Sequence, residues 1–142
     1  MELKILIPVD ESPTAKRTIR LFIEQKERFP EKIYLLYVIN QEPLAYRMIP
    51  DFQLEMVRDH AQKIGRQQLD KIAEQLLKEG FKPETILRSG NPRTVITDVA
   101  NREGYNLVVI GRHEGSGEIR DVLFGSVANY VLHNVKCPVL LF

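Results

Sequence analysis

A glycine-rich turn offers the clearest chemistry in this 142-residue sequence. Gly111-Arg112-His113-Glu114-Gly115-Ser116-Gly117 follows directly on the apolar run Leu107-Val108-Val109-Ile110, and Gly125-Ser126 stands at the start of a helical pattern. Glycine lets backbone N–H groups approach an anion with no Cβ in the way. A helix N-terminus adds unpaired N–H groups and the positive end of a dipole. The Ser126 hydroxyl could donate to a phosphate oxygen. The two elements together could grip a polyphosphate from two sides. The plainer readings are an ordinary turn after a strand and a serine that only caps its helix.

The other chemistry-bearing residues are sparser. Asp10 closes the apolar run Leu3 to Val9. It could accept a hydrogen bond from a ribose hydroxyl, or serve as a solvated turn residue before Ser12. Glu11 reads as exposed. His60, His113 and His133 have no short ligand spacing, so no metal site is expected. His113 could touch a phosphate, with solvation in its loop as the alternative. Cys137 reads as a core thiol. No nucleophile elbow is present, so Ser-His-Asp chemistry is not expected.

These residues must be held by a scaffold, and the hydrophobic pattern says which. Five apolar runs occur: Leu3–Val9, Ile33–Ile39, Thr85–Leu87, Leu107–Ile110 and Pro138–Phe142. Most lack polar alternation, as strands buried on both faces do in a parallel sheet. Between them lie helical stripes. Ser12-Pro13 gives a cap followed by proline, then Ala15, Ile19, Phe22 and Ile23. The stretch from about Gln53 to Glu79 carries Val57, Ala61, Ile64, Leu69, Ile72, Ala73 and Leu76, with Gly80 as its stop. Asn91-Pro92 repeats the cap-then-proline signal, with Val95, Ile96, Val99 and Ala100 behind it and Gly104 as the stop. Ser126 opens a last helix bearing Val127, Tyr130 and Val131.

Strand and helix thus alternate five times and four, which implies one α/β domain over residues 1–142, a three-layer sandwich with helices on both sides of a parallel sheet. Gln41 to Phe52 is irregular: a lid, an interface, or a loop packed on the body. Ligands in such sheets bind beyond the carboxyl ends of the strands, where strand order reverses. Those ends deliver Asp10, Asn40, Ser89-Gly90-Asn91 and Gly111-Arg112-His113.

Composition excludes several classes. Basic and acidic residues number 20 and 19, for a net charge of +1, and no basic block marks a nucleic-acid partner. No apolar run is long enough to span a bilayer. One cysteine and an N-terminus without signal-peptide shape lead us to expect a cytoplasmic address.

Taken together, several segments resemble the universal stress protein family along essentially the whole chain. They are Ile7-Pro8-Val9-Asp10-Glu11-Ser12, Leu35-Leu36-Tyr37-Val38-Ile39 (where members often carry a histidine in place of Tyr37), Gly90-Asn91-Pro92, Leu107 to Gly111, Gly125-Ser126-Val127-Ala128 and Cys137-Pro138-Val139-Leu140. The resemblance implies a Rossmann-like sheet of strand order 3-2-1-4-5. It implies an adenine nucleotide as ligand: ATP, with or without Mg, or else AMP or none. By position, Asp10 would meet the ribose or adenine edge, and Pro8, Val9 and Val38 would lie near the adenine. Gly111, Gly115, Gly125 and Ser126 would surround the phosphates, with Arg112, His113 and Val127 beside them. It also implies a homodimer paired through the last strand, Val139 to Phe142, which would otherwise be an exposed apolar edge.

The chain departs from the family's ATP motif at one place. ATP-binding members carry Gly, two residues, Gly, nine residues, then Gly and Ser, Thr or Asn. Here three residues separate Gly111 from Gly115, while nine separate Gly115 from Gly125. Read as the extra residue, Glu114 could repel a phosphate or be displaced outward on the wider turn. Two functions therefore compete: a nucleotide-binding regulatory module, and a non-nucleotide interaction protein of the same fold with a protein partner the sequence does not name. Hydrolysis is expected to be absent or slow, because no general base, water-positioning glutamine or Mg²⁺ carboxylate set is evident. A phosphoaspartate receiver fails because the third strand ends in Ser89-Gly90 with no aspartate to modify. A nucleotidyl transferase lacks a His-x-Gly-His or Ser-Gly-Gly-x-Asp-Ser signature.

Overall fold

Runs of Ile, Val and Leu with no polar face can be satisfied only between two layers of helix, and the chain is built that way. The computed structural model describes residues 3–40, 50–112 and 125–142. In chain order the elements are β1 (Ile5–Val9), α1 (Pro13–Glu24), β2 (Lys32–Asn40), α2 (Asp51–Lys78), β3 (Lys82–Gly90), α3 (Pro92–Arg102), β4 (Leu107–Ile110), α4 (Ser126–Asn134) and β5 (Val139–Leu141). The strands form one sheet in the order β3-β2-β1-β4-β5, with every neighbouring pair parallel. No helix among the described residues is long and apolar enough to cross a membrane.

Alternation along each strand feeds two cores. Ile5, Ile7 and Val9 of β1 and Ile33, Leu35 and Tyr37 of β2 turn to one face, where Ile19 and Phe22 of α1 and Leu69 and Leu76 of α2 close over them. Leu6, Leu36 and Val108 turn to the other face, under Ile96 and Val99 of α3 and Ala128 and Val131 of α4. Phe22 is fully buried and stacks on Phe29 at 4.2 Å between ring centroids.

The helix signals act as the sequence suggests at α1 and α3. The Ser12 Oγ accepts from the Ala15 N–H, and the Asn91 Oδ1 accepts from the Arg93 N–H, each ahead of a proline. Gly80 and Gly104 end α2 and α3 at φ of 93° and 77°, a region other residues rarely adopt.

Three elements differ from expectation. β3 runs from Lys82 to Gly90 rather than over Thr85–Leu87. As an edge strand it tolerates Pro83 and charged residues that blur the apolar pattern. α2 begins at Asp51, so Phe52 is helical rather than part of an irregular connection; positions 41–49 lie outside the described residues. At 28 residues α2 is about 42 Å long, longer than the sheet it crosses. Its first half is consequently exposed: Val57 and Ile64, expected in the buried stripe, are exposed, and Phe52 and Met56 are about 70% exposed. Gly65, not Ile64, is the buried residue at that level.

Two close approaches shape the sheet's carboxyl edge. The ladder from β1 to β2 runs through Val9, but the ladder from β1 to β4 stops at Leu6–Val108. Pro8 carries no N–H with which to prolong it, and the strands part there. α1 then settles against the end of β4: a Cβ at Gly111 would collide with the Thr18 hydroxyl and press on Thr14 Cγ2.

At the opposite edge Lys4 Nζ lies 4.4 Å from the ring centroid of Tyr105 and donates to the Glu103 carbonyl. Tyr105 meets Tyr34 edge-on. The phenols of Tyr105 and Tyr37 are held well above their ordinary value, first by burial and then by the neighbouring carboxylates, Glu103 and Glu11 respectively.

Two predictions follow from these contacts. Above about pH 10 the unfolded chain loses protons from Tyr37 and Tyr105 that the folded chain keeps. The stability they contribute is therefore complete below that pH and drains away as pH rises further. Urea midpoints should fall on the alkaline side, and replacing both residues with Phe should flatten the fall. Separately, Gly111→Ala should lower stability by about 1–3 kcal/mol through overpacking. Adding Thr18→Ala should recover part of that loss in urea unfolding, while additive losses would show that the clash is not the cause.

Candidate functional site

The parting of β1 from β4 leaves a cleft of about 250 Å³ at the carboxyl edge of the sheet, where strand order reverses. Its floor is apolar: Pro8, Leu36, Val38 and Ile110 from the strands, and Ile96 from α3. One wall is the start of α1, with Ser12, Thr14, Ala15 and Thr18. The facing wall is the start of α4, with Gly125, Ser126, Val127 and Ala128.

Asp10 stands at the rim and is exposed. Its Oδ1 accepts from the Ser12 N–H at 2.8 Å. The aspartate thus forms a turn and lines the cleft at once, with its second oxygen not used in that turn. Thr18 is buried and its hydroxyl donates to the Thr14 carbonyl.

The start of α4 corrects the reading of Ser126 as a cap. Gly125 is the N-cap, at φ 87° and ψ 155°, and as a glycine it supplies no capping side chain of its own. That backbone geometry is open to glycine and strained for other residues. Ser126 is the first helical residue and is exposed. The Gly125 carbonyl accepts the first intrahelical bond, from Asn129 at 2.9 Å. The N–H groups of Ser126, Val127 and Ala128 come before that bond, so the helix itself supplies no acceptor for them.

Of the residues expected at a ligand, Pro8, Val9, Asp10, Val38, Gly111, Gly125, Ser126 and Val127 line this cleft. Arg112 does not. Its N–H donates to the Phe142 carbonyl at 2.9 Å, and its own carbonyl accepts from Arg17 Nη2 at 2.6 Å. Arg17 Nη2 also reaches the Phe142 carbonyl at 3.1 Å. The Arg112 backbone is thereby committed to tying α1, β4 and β5 together. His113, Glu114 and Gly115 lie outside the described residues.

Other expectations shift as well. Gly111 lines the cleft, yet its missing side chain is already required by α1. Cys137 is half-buried at the margin of the α3–α4 core rather than within it, and burial pushes its thiol pKa up. Glu11 is exposed as expected, but its carboxylate is not idle: Oε2 accepts from the Tyr37 hydroxyl at 2.7 Å. Among the described residues no three His, Cys, Asp or Glu side chains draw together as metal ligands would.

Sequence reasoning missed Ser12, Thr14, Ala15 and Thr18 as lining residues, and Pro92 and Ile96 beside them. A signal existed in the two cap-then-proline turns. A helix capped at the carboxyl edge of a parallel sheet necessarily turns its first residues toward any ligand bound there.

Comparison with known proteins places the fold. The sequence profile of the Universal stress protein family matches residues 1–142. Universal stress protein Sll1388 of Synechocystis is 29% identical, over 97% of this chain and 96% of the relative. The structure of protein MJ0577 of Methanocaldococcus jannaschii matches with a TM-score of 0.80 at 28% identity, over 99% of this chain and 95% of that one. A universal stress protein of Archaeoglobus fulgidus, solved in complex with dAMP, shares the fold at a TM-score of 0.68 and 22% identity, over 98% of this chain and 96% of that one. With a family profile matched from end to end and the strand order reproduced, the chain belongs to the universal stress protein family.

Proposed function

We propose that this chain is a nucleotide-binding regulatory module of the stress response, with ATP as the guest and AMP as the alternative. The observation that carries the reading is the cleft itself. An apolar floor of Leu36, Val38 and Ile96 meets a polar rim made of Asp10 and the glycine-led start of α4. A flat aromatic base suits such a floor. A ribose hydroxyl suits the free oxygen of Asp10. Phosphates suit the helix N-terminus, where N–H groups and dipole both favour negative charge. The relative bound to dAMP supports the adenine class of guest.

A regulatory role fits this chemistry better than turnover, since Asp10 is the one carboxylate among the described lining residues and this reading commits it to the ribose. The longer Gly111–Gly115 turn with its Glu114 favours a second reading, a protein-interaction module that takes no nucleotide. We also place a homodimer contact at β5: Val139 to Phe142 are all half-exposed at the sheet's edge, and β5 pairs on one side with β4. Sedimentation at the mass of one chain would reject that contact.

Calorimetry on protein stripped of co-purified small molecules tests the nucleotide. ATP should bind with micromolar to sub-millimolar affinity, and no heat at millimolar ATP would reject the reading in favour of the interaction module. Ser126→Ala removes one donor and should weaken binding about three- to tenfold, with little change in thermal midpoint. Gly125→Val should abolish binding, because a side chain there enters the cleft and strains the turn.

A further inference from the structure

We propose that Tyr37, acting through Glu11, is a positioning residue for the cleft, a latch that fixes the β1–α1 turn and ties it to the face of α2. The inference rests on the nucleotide reading for its functional meaning and on separate contacts for its geometry.

Neighbouring residues of β2 point to opposite faces. Leu36 and Val38 therefore turn to the cleft, and Tyr37 turns away from it into the core under α2. The Tyr37 ring is almost wholly buried. α2 rests directly on it: a Cβ added at Gly65 would sit 3.1 Å from ring atoms Cδ1 and Cε1. The ring is thereby held in place from above, and its hydroxyl reaches past the end of β1 to Glu11 Oε2.

Glu11 does not line the cleft, but both of its chain neighbours do. Asp10 accepts from the Ser12 N–H, and Ser12 in turn accepts from the Ala15 N–H. Pinning the Glu11 side chain between them restricts the backbone that aims Asp10 at a guest. A binding group held in its working orientation before the guest arrives loses less entropy on binding. The Tyr37 phenol is protonated at neutral pH in any environment, and burial keeps it a donor further into the alkaline range. The chain of contact runs from α2 through Gly65, Tyr37 and Glu11 to Asp10.

A purely structural role would give the phenol a partner and nothing more. The two roles separate in four proteins: wild type, Tyr37→Phe, Glu11→Ala and the double variant. Tyr37→Phe removes only the hydroxyl and keeps the ring beneath Gly65. ATP affinity is read by calorimetry, stability by thermal midpoint, and the Ser12 and Ala15 amides by hydrogen exchange without ligand. Each single variant should weaken affinity about fivefold, and the double variant no further than either single one. The two amides should exchange faster, with the midpoint little changed. Wild-type affinity in Tyr37→Phe overturns the proposal. Should the wild-type chain take no ATP, the nucleotide reading falls by that result alone. The latch is then judged on exchange: faster Ser12 and Ala15 amides in Tyr37→Phe support it, and unchanged amides overturn it.

Discussion

The ladder between β1 and β4 ends at Leu6 and Val108, and the chemistry of the molecule depends on that stopping point. Neighbouring strands of a parallel sheet stay about 4.8 Å apart while their hydrogen bonds continue. Past the last bond they are free to diverge, and a proline in β1 helps them do so. The two strands leave in opposite senses, one to α1 on one face and the other toward α4 on the opposite face. What opens between them is the cleft. The contacts nearby limit how far it opens: α1 packs down on Gly111, and the Arg17 guanidinium gathers the carbonyls of Arg112 and Phe142.

The fold was legible because its signals are redundant. Unbroken apolar runs marked β1, β2 and β4. Two serine- or asparagine-plus-proline caps marked α1 and α3, and glycines marked the ends of α2 and α3. Where one signal stood alone, the reading was poorer. β3 has charged and polar residues across most of its length because one side is open to water, so only its central Thr85-Ile86-Leu87 stood out. In α2, Val57 and Ile64 keep a helical period without meeting the core, since the helix outruns the sheet. Periodicity reports which side of a helix is apolar, not how much of it finds something to bury against.

The site was legible in part, for a different reason. Strand ends are readable from sequence, and so Asp10, Gly111 and the Gly125-Ser126 pair could be named. The contribution of α1 was not readable, because Thr14 and Thr18 are unremarkable helix residues until packing brings them to the cleft. Gly111 shows the converse. Its smallness invited a phosphate explanation, and the packing of Thr18 supplies a sufficient one. Tyr37 and Glu11 are 26 residues apart, and nothing local in either segment announces that they meet.

The glycine at the head of α4 carries one more consequence. A glycine N-cap brings no side-chain oxygen to the first amides, at a cost of roughly a few tenths of a kcal/mol against serine or aspartate, and the left-handed φ there would strain either of those. On the nucleotide reading, a phosphate beside those amides would offset that small deficit. Heat tolerance would then report on occupancy, the same polypeptide withstanding more with a guest bound than without. In a protein of this family, a domain whose durability rises and falls with the nucleotide supply would itself be a gauge of the cell's energy state.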